Sequence, residues 1–183
     1  MMRRLVVLGV GSVALVGLVV GGLTLVPAAL GQTQHADVAV GRKQECPPFP
    51  GKDAFVAAID NPYLPLVPGT TFVYEGEEDG ERQRNTVEVT RDKKTILGVK
   101  TTVVLDTVRD DKGELIERTL DWFAQDKDGN VWYLGEASRD YENGQVVSTK
   151  GSWEVGRNGA KPGIVMLAKP KVGQSYRQEC APP

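Results

Sequence analysis

The sequence predicts a mainly β protein, an antiparallel up-and-down meander curled into a half-open barrel, behind an N-terminal signal or anchor segment. Three observations predict it. Short runs rich in Val, Thr and aromatic residues recur from residue 70 onward, and these side chains fit a pleated, half-buried surface. Turn signals separate the runs, among them Asp128-Gly129 and Asn143-Gly144, which tolerate the positive φ of tight hairpins. No long helical period interrupts the series, which argues against crossover helices and a parallel sheet.

Taken in order, residues 71–76 place Phe72 and Tyr74 on one face, and Glu78-Asp79-Gly80 turns the chain. Residues 85–90 alternate, with Val87 and Val89 on one side. Asp92-Lys93-Lys94 reads as a second turn, and Gly98 breaks the chain after Ile96-Leu97. Residues 99–109 follow, then a third turn at Asp110-Asp111-Lys112-Gly113. Residues 115–125 carry Ile116, Leu120, Trp122 and Ala124 on one face. A fourth turn spans 126–130, residues 131–141 form the next strand, and Asn143-Gly144 leads into 145–153.

A two-residue turn at Asp128-Gly129 sets Gln125 opposite Trp132, Phe123 opposite Leu134 and Trp122 opposite Gly135. A turn at Asn143-Gly144 sets Tyr141 opposite Val146, on the face of Tyr133. Residues 156–171 are loop-like, with Ile164-Val165-Met166-Leu167 folding back over the sheet, and 172–180 start another strand. A closed barrel takes about eight strands, more than the six or seven counted here. The sheet is therefore expected to leave an edge that a partner covers, or that a longer C-terminus would cover if the chain is truncated.

Residues 1–31 read as a signal peptide or membrane anchor. Arg3 and Arg4 precede 22 uncharged residues, 5–26, and Ala29-Leu30-Gly31 offers a small-x-small cleavage site after Gly31. Uncleaved, the run is long enough to span a bilayer with the arginines inside. Either way the domain is exported. Gly17 and Gly21 form a GxxxG pair, and Arg3-Arg4 a bare twin-arginine pair, both weak signals. Residues 32–61 read as a flexible, proline-containing arm, with a helical turn or two capped by Asp53, and 62–183 as the β-rich domain.

Without Arg3 and Arg4, the 22 basic residues fall to 20 against 24 acidic, a net charge of −4. That balance, with no concentrated basic surface, excludes nucleic acid as a partner. Membrane contact is expected only through residues 1–31. Cys46 and Cys180, an even count in an exported chain, read as a disulfide, with two free thiols as the alternative.

Signatures of chemistry are few. Asp126, Asp128 and Asn130 alternate like a calcium loop, but glycine stands fourth and Ala137 twelfth, so polar turn chemistry is the better reading. His35, the sole histidine, lies in the arm, no serine sits in a nucleophile elbow, and no cofactor or metal is expected. Trp122, Tyr133, Tyr141 and Tyr74 are the candidate ligand-binding residues, within an aromatic set that includes Trp132 and Trp153. The competing reading makes them simply the core of a small β domain. Glu75, Asp106, Asp121, Glu136, Asp140, Glu142 and Glu154 supply possible acid–base pairs.

The stretch Asn61-Pro62-Tyr63-Leu64-Pro65-Leu66-Val67-Pro68-Gly69-Thr70 resembles the opening of an uncharacterised family of exported bacterial β-rich proteins. Asp121-Trp122-Phe123-Ala124-Gln125 and Tyr141-Glu142-Asn143-Gly144 resemble it too, so the likeness covers about residues 61–180. The resemblance implies no activity or catalytic residue. It implies a longer C-terminus than this chain has. The expected function is non-enzymatic binding of a small apolar or amphipathic ligand, or of an envelope component, by a secreted or membrane-anchored domain. A hydrolase using Asp121 with Glu142 is the alternative, and a structural envelope module a third.

Overall fold

A computed structural model of the chain describes residues 45–78 and 80–181. The expected signal or anchor segment, the expected cleavage after Gly31, and His35 lie outside these residues. The antiparallel meander expected from the sequence is the fold: β1 (Thr71–Glu78), β2 (Glu81–Ile96), β3 (Val99–Asp110), β4 (Leu115–Gln125), β5 (Val131–Glu142) and β6 (Gln145–Ser148) pair each with the next. Two further short strands, β7 (Trp153–Glu154) and β8 (Gly163–Met166), also pair with β5. The sheet curls into a half-barrel.

Strand β5 is the busiest element. One edge pairs with β4, and the other takes β8 at Val131–Tyr133, β7 at Gly135–Glu136 and β6 at Asp140–Glu142. The chain thus covers that edge with its own later segments. The outer edge of β1 carries Glu75 and Glu77, charges that discourage further strand addition. Residues 172–180, expected as a strand, form only an isolated bridge, Lys161 to Cys180.

Three local readings of the sequence are corrected by the register. Asp92-Lys93-Lys94 is not a turn. It lies within β2, at a register shift between Val89 and Lys93, and the chain reverses at Leu97-Gly98, both at positive φ (46° and 80°). The Asp128-Gly129 hairpin is one residue out: Gln125 faces Val131, Ala124 faces Trp132 and Phe123 faces Tyr133. The cause is Asp126, whose Oδ1 accepts from the Asn130 amide at 2.8 Å and whose Oδ2 accepts from Trp132 Nε1 at 2.7 Å, setting a wider loop. The Asn143-Gly144 turn is as expected, with Tyr141 opposite Val146.

The third correction matters most. Asp121 pairs with Glu136 and Phe123 with Tyr133, so β5 spends three residues where β4 spends two. This bulge centres on Gly135, at φ 137°. A Cβ there would strike the Trp153 carbonyl, and would lie 2.8 Å from Glu154 Cα and 3.1 Å from Trp122 Cε3. The extra residue flips the strand's alternation. Tyr133 therefore shares a face with Glu136, and Tyr141 lies on the opposite face, contrary to the sequence reading.

From residue 45 on, the arm is tied down. Val56 N donates to Gln125 O at 2.9 Å and Lys127 N to Ala54 O at 2.8 Å. Asn61, 2 % exposed, donates from Nδ2 to Gly129 O and Leu167 O, and its own amide donates to Gln125 Oε1. In place of the expected Asp53-capped helix, only a 3-10 turn forms, Lys52–Ala54, with no side-chain cap. Phe49, Phe55, Ile59 and Leu66 extend the aromatic core that Phe123, Trp132, Tyr133 and Trp153 supply. Cys46 and Cys180 form a disulfide, Cα to Cα 6.0 Å, closing 134 residues of chain. Such a bond belongs to a non-reducing compartment.

Candidate binding cleft and its carboxyl ladder

Register alone lines up an acidic row. Along one face, β4 presents Glu117, Thr119, Asp121 and Phe123. Across the sheet these meet Val108, Asp106, Val104 and Thr102 of β3, and Asp140, Ser138, Glu136 and Tyr133 of β5. Asp106, Glu117, Asp121 and Glu136 are all buried. Four carboxyls on one covered face, with no lysine or arginine bonded to them among the described residues, are costly unless they hold protons.

The geometry at the centre requires it. Tyr133 Oη lies 2.5 Å from Asp121 Oδ1 and 2.5 Å from Glu136 Oε2. A phenol has one proton to donate, so the second carboxyl must be protonated and donate to the phenol oxygen. Asp121 Oδ2 and Asp106 Oδ1 are buried with no hydrogen-bond donor in reach. Burial raises the Asp106 carboxyl to about 6, against a weaker opposing hydrogen bond from Asn85. Burial likewise takes Glu117 and Glu136 to about 7, with the neighbouring carboxylates adding to it. Asp121 is held well above the ordinary carboxylate range by burial first, and burial with the two flanking acids keeps Tyr133 a neutral phenol.

The ladder opens at one point. Glu136 lines a cleft of about 430 Å³ together with Trp122, Trp153, Glu154, Arg157 and Glu179. Glu154 is neutralised twice, by Lys94 Nζ at 2.7 Å and Arg157 Nε at 2.9 Å. The same Lys94 ammonium sits 3.2 Å from the centre of the Trp122 ring. Trp153 is 8 % exposed, and its indole N–H has no acceptor. Glu179 is half-buried, and desolvation raises its carboxyl.

Of the four residues expected to bind ligand, Trp122 lines this cleft. Tyr133 is fully buried behind it, against Phe123 and Trp153. Tyr141 is on the other face of β5, and Tyr74 stands exposed on β1, opposite Asn85. The structure therefore does not gather the four on one surface. Nor does it bring Asp121 to Glu142. Asp121 pairs with Glu136, and Glu142 lies six residues further along an extended strand, roughly 20 Å away. Glu117 and Glu179 were missed in the sequence. For Glu117 a signal existed, because Glu117-x-Thr119-x-Asp121 puts three polar residues on one strand face. Asp126 and Asn130, with their mutual hydrogen bonds, serve the turn, as the failed calcium pattern implies.

No family model, curated protein or solved structure matches the chain.

Proposed function

We propose that this is an exported, non-enzymatic module that holds a small amphipathic ligand in the cleft beside Glu136. One observation carries the reading: a cleft of about 430 Å³ joins two indoles, Trp122 and Trp153, to an ionisable wall. Sites for small molecules have this size and this mixture of aromatic surface with few polar groups. The Cys46–Cys180 disulfide supports placing the domain outside the cytoplasm, as a secreted or membrane-anchored protein. The hydrolase reading, Asp121 with Glu142, has less support, because Asp121 is 0 % exposed and pairs with Glu136 rather than Glu142. To test the binding reading, the protein is titrated with small amphipathic fragments while the indole N–H resonances are followed by NMR. Binders should move the Trp122 and Trp153 signals together. Shifts confined to other surfaces would refute the assignment of the cleft.

A further inference from the structure

We propose that the cleft takes a small organic cation, an ammonium on an apolar body, seated between Glu136 and Glu179 against the indoles of Trp122 and Trp153. This rests on the cleft being the ligand site and adds the ligand's charge.

The argument is one of charge left over. Three acids line the cleft, and Glu154 already has Lys94 and Arg157. Glu136 and Glu179 form no ion pair among the described residues. Behind Glu136 stand Asp121 and Glu117 of β4 and Asp106 of β3, all acidic, with the neutral phenol of Tyr133 between. Glu136 and Glu179 are therefore the acids of the wall with no cation beside them, and as they ionise the cleft turns negative except on the Arg157 and Lys94 side, where Glu154 cancels the charge. Once ionised, that wall repels an anion and is left uncompensated by a neutral ligand. A cation gains Coulomb energy in a low-dielectric wall and can lie on an indole face, as the Lys94 ammonium already does on Trp122.

A consequence in protons follows. Glu136 titrates at about 7 in the empty cleft. A bound ammonium favours its carboxylate, so binding below neutrality releases a proton to the buffer, and affinity rises with pH. Between about pH 6 and pH 8 the ionised fraction of such a carboxyl grows about tenfold, and affinity should follow.

The probes are phenethylamine, its neutral counterpart phenethyl alcohol, and the anion phenylacetate, titrated by calorimetry in buffers of different ionisation enthalpy and by indole NMR. Phenethylamine should bind about tenfold more tightly at the higher pH, release protons at the lower, and outbind both counterparts about tenfold. Glu136→Gln should flatten the pH dependence, and Glu179→Gln should weaken binding while keeping it. Equal binding of the alcohol or phenylacetate would overturn the cation proposal yet leave the cleft as a ligand site. Wild-type affinity in both variants would also overturn it. Indoles unmoved by all three probes would remove both readings.

Discussion

Asp126 and Asp121 are five positions apart, both buried, and placed in opposite circumstances. Asp126, at the turn end of the β4–β5 hairpin, accepts from the Asn130 amide, Asn130 Nδ2 and Trp132 Nε1 at 2.7–2.9 Å. Each of its oxygens is engaged by a donor that the turn itself supplies. Asp121, in mid-strand, shares one phenol proton with Glu136, and its other oxygen has no donor. The turn uses a carboxylate as a fastener. The mid-strand region confines carboxyls that remain buried only by keeping protons. Burial by itself therefore says nothing about role. The number of donors aimed at the buried oxygen separates a structural acid from a proton-holding one.

The most severe way to break the contrast is through Gly135. Gly135→Ala places a methyl against the Trp153 carbonyl and the Glu154 backbone at a φ of 137°. It should cost about 4 kcal/mol in chemical denaturation and lower the cooperativity of the β5–β7 contact. A loss under about 1 kcal/mol would mean that the bulge is not fixed by these neighbours. Next comes Asp126→Ala, which strands three donors at once and should cost about 3 kcal/mol. An unchanged denaturation midpoint would deny the fastening role.

The smallest effect is the most diagnostic, because it separates the two regions by sign. Asp106 moves from 3.8 to about 6, and Glu117 and Glu136 from 4.5 to about 7, on folding. Between about pH 4 and pH 7 the folded state thus holds more protons than the unfolded one. Stability is fully present at the acid side of that window and falls as pH rises through it, flattening above about pH 8. Melting temperature measured across the window should decline with pH. Asp121→Asn, which keeps the shape and removes one ionisable group, should be stabilising by about 1 kcal/mol near pH 8 and shallower in slope. A wild-type melting temperature that climbs from pH 5 to pH 8 would refute the ladder's protonation.

Much of this architecture is legible in the chain. The meander follows from turn residues such as Asn143-Gly144, whose chemistry acts over two positions and needs no distant partner. The pairing of Cys46 with Cys180 follows from their being the two cysteines in the sequence. What escapes is whatever depends on parity. A single extra residue at Gly135 turns over the alternation on its two sides, which moves Tyr141 away from Tyr133 and sets Tyr133 on the face of Asp121 and Glu136. In sequence, that glycine is only a small residue opposite a tryptophan. The reading of Asp92-Lys93-Lys94 as a turn fails for a related reason: polar residues that suit a turn also suit an irregular stretch of exposed strand. Glu179 reaches the cleft because Lys161 bridges Cys180, a contact between segments that carry no periodic signal.

The crowding of partners along one edge of β5 also separates local pairings from those that need distant chain. Strands β1 to β5 each need only the neighbour just before them, so they can zip as successive hairpins while later residues are still being made. The arm then finds its docking points on the 125–130 loop. The cleft must wait, because its walls come from residues 151–160 and 179–181 as well as from Trp122. A nascent chain stopped before residue 151 would hold the acid ladder and the sheet, yet leave the side of β5 that β7 and β8 later cover open to solvent. The cleft is thus the part of the fold that closes after the sheet, with residues 151–160 and 179–181 as its latch.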